Sequence, residues 1–191
     1  MSSSDLIRWG AIGFMLSGVV WVVVGILDAT RDPFTFPGPV AFLLLVVALL
    51  LSALGLVGLH ALQEGSYGRI GRYGRIGLAG FYTALVAIAV QILGAVGLLW
   101  GSGALGWLVA PVGSSAKLVG FVLYGAATVQ ARVLPRWYGV LLIVFMPISA
   151  ALGAYGNIWV GLVSLVLGYV LWLWRGEVAQ QPRRVSSRRV S

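Results

Sequence analysis

Cysteine is absent from the chain. That excludes disulfides, thiolate metal sites and a cysteine nucleophile. Histidine occurs once, at His60, so neither a bis-histidine haem nor a two-histidine metal site can form within one chain. Charge is scarce: 9% of the residues are Asp, Glu, Lys or Arg, against about 25% in a soluble domain. Only five residues are acidic, and all five fall at the ends of apolar runs or between them. No carboxylate pair is available at depth for acid–base chemistry. His-Glu-x-x-His is missing, and Met15-Leu16-Ser17-Gly18 does not match the Gly-x-Ser-Gly of an intramembrane serine protease. The chain reads as a non-enzyme without a cofactor.

What is present is apolar. Of 191 residues, 60% are hydrophobic, gathered in runs long enough to cross a bilayer, which takes about 20 residues per helix. Six segments qualify: 9–27, 40–60, 78–100, 112–131, 137–153 and 158–174. The expected fold is all-α, a six-helix transmembrane bundle, with Pro147 kinking the fifth span. The stretch 101–111 is uncharged, and either lies in the outer interface or lengthens the fourth helix. Residues 153–157 read as a tight turn. Residues 175–191 are polar and basic and read as a disordered cytoplasmic tail. Tryptophan supports the boundaries: Trp9, Trp100, Trp107, Trp137, Trp159, Trp172 and Trp174 fall at span ends, as an aromatic belt requires. Trp21 alone lies mid-span.

Between the second and third spans stands a basic island, Gly65 to Gly80, with glycine at every third position and Arg69, Arg72 and Arg75 in the same period. Five triplets without proline do not make a collagen helix, and no Lys-Ser/Thr ending makes a phosphate loop of it. We read it as a positively charged loop that sets topology and meets anionic lipid headgroups. Counted by side, eleven arginines face Asp5, Glu64 and Glu177 on one side, a surplus of +8. Arg31 and Lys117 balance Asp28 and Asp32 on the other. The positive-inside pattern then puts both termini in the cytoplasm. The basic charge is lipid-directed, and no nucleic-acid partner is expected.

Each span carries a stripe of small or polar residues. In the third it runs Gly80, Ala84, Ala87, Gln91, Gly94, opposite a bulky face of Phe81, Leu85, Ile88, Ile92 and Leu99 that is expected to meet lipid. Small faces let helices approach closely, and could serve a homo-oligomer or a membrane partner. Ser17, Ser52, Gln91 and Ser164 lie near the centres of their spans and form a candidate midplane polar layer. That layer is either structural glue or a binding site of the kind secondary transporters use. Asp28 and Lys117 are candidate outer-mouth charges. Lys117, about a turn inside its span, either snorkels to the interface or pairs with Asp28. His60, with Gln63 and Glu64 nearby, reads as an interfacial residue. A weak internal echo relates Leu56-Val57-Gly58 with Gln63 to Leu123-Tyr124-Gly125 with Gln130.

Three runs, Leu59-His60-Ala61-Leu62-Gln63, Gly68-Arg69-Ile70-Gly71-Arg72 and Leu134-Pro135-Arg136-Trp137-Tyr138-Gly139-Val140-Leu141-Leu142, resemble a group of small six-span membrane proteins of high-GC bacteria. The resemblance implies a bacterial cytoplasmic membrane and no particular substrate. Two functions stay open on the sequence: a multi-pass protein that works by association, and a small permease or channel with Gln91 in its path.

Overall fold

The computed structural model describes the backbone of residues 3–31, 38–70, 72–101, 103–131 and 134–187, and the side chains of these residues except 64–70, 72–73, 103–105, 107–108, 110 and 175–187. Within them the chain is entirely helical: α1 (Ser3–Thr30), α2 (Pro39–Ile70), α3 (Arg72–Leu99), α4 (Gly103–Ala131), α5 (Arg136–Ala151), a 3-10 turn (Gly153–Tyr155) and α6 (Gly156–Ser187). In hydrocarbon every backbone polar group must be satisfied within the chain, which a continuous helix does. Proline and glycine punctuate the elements. Pro39 is the first residue of α2, where its missing N–H costs nothing, and Pro135 directly precedes α5. Gly101 (φ 81°) follows the end of α3, and Gly153 (φ 55°) follows α5; both take the left-handed conformation that closes a helix cheaply only for glycine.

Among the described residues, five helices are long and apolar enough to cross a membrane, within Ser3–Thr30, Pro39–Gln63, Gly74–Leu99, Pro111–Ala131 and Gly153–Trp174. The fifth expected span is shorter than anticipated: α5 has 16 residues and runs uninterrupted through Pro147. The basic island is helix, not loop, on both sides of Gly71, because α2 runs to Ile70 and α3 starts at Arg72. A helix extends at little cost once begun, and the island's glycines on either side of Gly71 do not stop it. The side chains of Arg69 and Arg72 lie outside the described residues. Arg75 is exposed. The stretch 101–111 largely lengthens α4, and α6 keeps a helical backbone to Ser187 where an irregular tail was expected from residue 175. That extension is again helix propagation, from an apolar segment already fixed.

Each helix packs against its neighbours in sequence, and α6 returns against α1, so the six close into a ring. The ring has two halves. One comprises α1, α2 and α6, the other α3, α4 and α5, and the most extensive contacts lie within these halves. Glycine explains the division. A Cβ built on Gly18 of α1 would stand 2.7 Å from the Gly161 carbonyl oxygen of α6, and Gly10 and Gly58 join α1 to α2 backbone on backbone. In the other half, Gly120 of α4 meets Ala84 of α3, and Gly125 of α4 meets Gly139 of α5. The small-residue stripes are thus engaged inside the chain. The echo between α2 and α4 does not extend to packing: Gly58 meets α1 whereas Gly125 meets α5, and Gln63 is buried whereas Gln130 is exposed.

The third span corrects one expectation. Its bulky face does not meet lipid: Phe81 and Ile88 are buried, and Tyr82, Val86 and Leu93 are exposed instead. α3 is flanked by α2 on one side and α4 on the other. Only a narrow third strip is left facing outward.

Candidate functional site

Because α4 begins at Gly103, Lys117 is the central residue of its 29, equidistant from Gly103 and Ala131. It is not a turn from the helix end. Its side chain is 8% exposed and turns inward, with Nζ 5.5 Å from the centre of the Trp21 ring on α1. That is cation–π distance. Among the described residues no carboxylate pairs with it. Asp28 is occupied elsewhere: it accepts a 2.7 Å hydrogen bond from Asn157 Nδ2, and Arg31 stands 3.7 Å from its other oxygen. The two expected outer-mouth charges therefore part company. Asp28 ties α1 to the start of α6, and Lys117 enters the core.

The cavity that Lys117 enters measures about 20 Å³. That is space for a water-sized occupant, since one water needs about 10–15 Å³ on this measure. Phe14 and Trp21 come from α1, Leu49 and Ser52 from α2, Ile88 from α3, Lys117 and Phe121 from α4, Phe145 from α5, and Val160, Ser164 and Leu167 from α6. All six helices contribute. Phe121 and Phe145 meet edge to face at 4.7 Å. Lys117 is supplied by one half of the ring, and Trp21, Ser52 and Ser164 by the other.

The hydroxyls around the cavity are back-bonded to their own helices or to each other. Ser52 donates to the Ala48 carbonyl at 2.8 Å, Ser17 stands 2.6 Å from Ser52 and 3.0 Å from the same carbonyl, and the Trp21 indole N–H donates to Ser52 Oγ at 3.2 Å. Ser164 donates to the Val160 carbonyl at 2.8 Å. Three of the four expected midplane residues are thus found around one core, Ser17 behind Ser52 and the other two on the cavity wall.

Gln91 does not join them. Its amide donates to Ser114 Oγ of α4 at 2.9 Å on a more open face, and it does not line the Lys117 cavity. Helical phase explains this: Ile88, not Gln91, is the α3 residue turned to the centre, and Gly113 provides the gap that Gln91 fills. The polar side chain that lines the cavity with Ser52 and Ser164 is Lys117.

A second polar pair lies toward the other end of α4. Gln63 and Thr128 are 0% and 1% exposed, and Gln63 Nε2 donates to Thr128 Oγ1 at 3.0 Å. Thr128 also donates to the Tyr124 carbonyl at 2.8 Å. Beside it His60 stacks on Phe81 at 4.0 Å and 11°, which joins α2 to α3. Of this pair the sequence drew notice to Gln63, as a neighbour of His60 at the end of the second span. Trp21 had a clearer signal, as the one tryptophan away from a span end. Among the described residues no three of His, Cys, Asp and Glu gather as metal ligands.

Fold and site together define an all-α bundle whose long apolar helices mark a membrane-embedded protein, with a lysine at its centre. Comparison with protein-family models, curated proteins and solved structures returns no match.

Proposed function

We propose that the protein is a non-catalytic, six-crossing permease of the bacterial cytoplasmic membrane, with both termini in the cytosol and one solute site at mid-depth. The observation that carries this reading is the Lys117 cavity, to which every helix of the ring contributes. Secondary transporters hold their substrate near the midplane, between parts that rock against each other. An ionisable residue inside a span marks a substrate or ion path by default. Here the two halves of the ring meet at the cavity, and the lysine comes from one while its neighbours come from the other.

Two further points support six crossings. At about 1.5 Å per residue, 16 residues of α5 span about 24 Å of a hydrocarbon core of about 30 Å. The Gly153–Tyr155 turn and modest bilayer thinning cover the difference. With Lys117 removed to mid-depth, the outer side keeps Arg31 against Asp28 and Asp32, so the charge asymmetry becomes steeper. Arg75, with Arg69 and Arg72, then faces anionic headgroups on the cytosolic side. The other reading, work by association with itself, lipid or a membrane partner, draws less support from the small-residue stripes, which are engaged within the bundle.

Lys117 is the only lysine in the chain, which allows a direct test. A membrane-impermeant amine reagent is applied to vesicles of each orientation, and the Lys117 peptide is separated from the N-terminal one by mass spectrometry. A permease opens its site to each side in turn, which admits a reagent larger than the solute, so Lys117 is labelled from both faces. Labelling from one face only, or from neither, rejects this reading.

A further inference from the structure

Charge balance identifies what the cavity takes. An isolated cation in a low-dielectric interior is costly unless something of opposite sign accompanies it. Among the described residues no acid is placed to do so. Asp5, Asp28, Glu64 and Glu177 each stand eleven to thirteen residues along their helices from the mid-depth serine of the same helix. That is about 16–20 Å at the helical rise per residue. Asp32 lies past the end of α1.

The rest of the wall fits an anion. Ser52 and Ser164 hold hydroxyls that now donate to carbonyls of their own helices and can rotate to donate inward. One positive charge matches one monovalent anion, and a cavity of about 20 Å³ favours a small ion over sulfate or phosphate.

We propose that the mid-depth cavity binds one monovalent anion of halide size, with the Lys117 ammonium as its charge partner and the Ser52 and Ser164 hydroxyls as donors. This assignment names the solute of the site proposed above and rests on that reading for its role in transport, though binding itself does not require transport. Lys117 and the two serines belong to opposite halves of the ring, so the anion bridges the halves when bound.

The test is equilibrium binding to the full chain in lipid nanodiscs. Sodium bromide is titrated against gluconate at constant ionic strength, and heavy-atom quenching of Trp21 is obtained as the difference between the parent and Trp21→Phe. The proposal requires a saturable component that chloride competes away and sulfate does not. Lys117→Met weakens it about tenfold or more, and Ser164→Ala several-fold, as loss of a full charge and of one hydrogen bond imply. A second readout dispenses with Trp21→Phe: chloride raises the unfolding temperature of the parent with the logarithm of its concentration, and does not raise that of Lys117→Met. Quenching that never saturates, an unchanged response in Lys117→Met, or equal competition by sulfate overturns the assignment. Two-sided labelling of Lys117 without anion binding would reject this ligand and leave the permease. Anion binding with one-sided labelling would reject the permease and leave this ligand.

Discussion

Replacing Lys117 by methionine should make the anion-free protein more stable. The two side chains are similar in length, and Met adapts to irregular space, so packing against Trp21 and Phe121 changes little. Two opposing terms remain. The ammonium–indole contact at 5.5 Å is worth about 2 kcal/mol when desolvated. Holding a lysine at the centre of a span costs about 2.5–3.5 kcal/mol on an insertion scale. The difference is a gain of about 0.5–1.5 kcal/mol for Lys117→Met. The assay is reversible unfolding in mixed micelles, in gluconate and then in chloride. In gluconate the variant unfolds at higher denaturant. In chloride the gap narrows, because the parent alone gains binding energy. A variant destabilised by more than about 2 kcal/mol in gluconate would mean that breaking a satisfied buried contact dominates, and the argument from an unbalanced charge would fail.

Three other substitutions separate packing, polar structure and path. Gly18→Val places a Cβ 2.7 Å from the Gly161 carbonyl oxygen and from Leu165 Cγ. It should cost about 1–3 kcal/mol or more through overpacking, read as a lower unfolding midpoint, whereas Gly38→Val, with open space around it, should be close to neutral. Gln63→Leu or Thr128→Val alone should cost about 1–3 kcal/mol, since each leaves a buried polar partner. The double substitution should cost clearly less than the sum, and an additive double-mutant cycle would deny the coupling. Gln91→Leu, whose amide bonds Ser114 away from the cavity, should cost about 0.6 kcal/mol and leave solute flux into liposomes intact; abolished flux would return Gln91 to the path.

The parts legible in the sequence are those set by composition and by local chemistry. Helical class, most boundaries and the use of proline and glycine as punctuation follow from run length and backbone freedom. What escaped are quantities that depend on where a helix starts and how it is rotated. Reading α4 from residue 112 put Lys117 a turn from the surface; starting at Gly103 puts the same residue at the centre. Nine uncharged residues decide between a loop and two and a half turns of helix, and an apolar stretch gives no local sign of which. Likewise Gln91 and Ile88 are three positions apart and nearly share a face, so composition could not say which of them looks inward. The span-three bulky face failed for a related reason. A helix with neighbours on two sides buries large and small residues alike, and the contrast of size no longer marks the lipid side.

The division of the ring into halves can be tested without reference to any ligand. Glycine contacts bind α1 to α2 and α6, and α4 to α3 and α5. The contacts between α2 and α3 and between α5 and α6 are the less extensive ones, and those two seams bound the cavity. On the permease reading proposed above, rocking is expected along the seams, because parting the glycine pairs would expose backbone packed on backbone. His60 of α2 stacks on Phe81 of α3 across one seam. In a chain with no cysteine, His60→Cys with Phe81→Cys and a short bis-thiol cross-linker would clamp that seam alone. Gln91→Cys with Ser114→Cys, joining α3 to α4 where these side chains meet at 2.9 Å, clamps one half internally. The first cross-link should remove labelling of Lys117 from at least one face of the membrane, and the second should leave labelling from both faces unchanged. Motion confined to the seams predicts that difference; equal effects of the two cross-links would show that the ring does not move as two bodies.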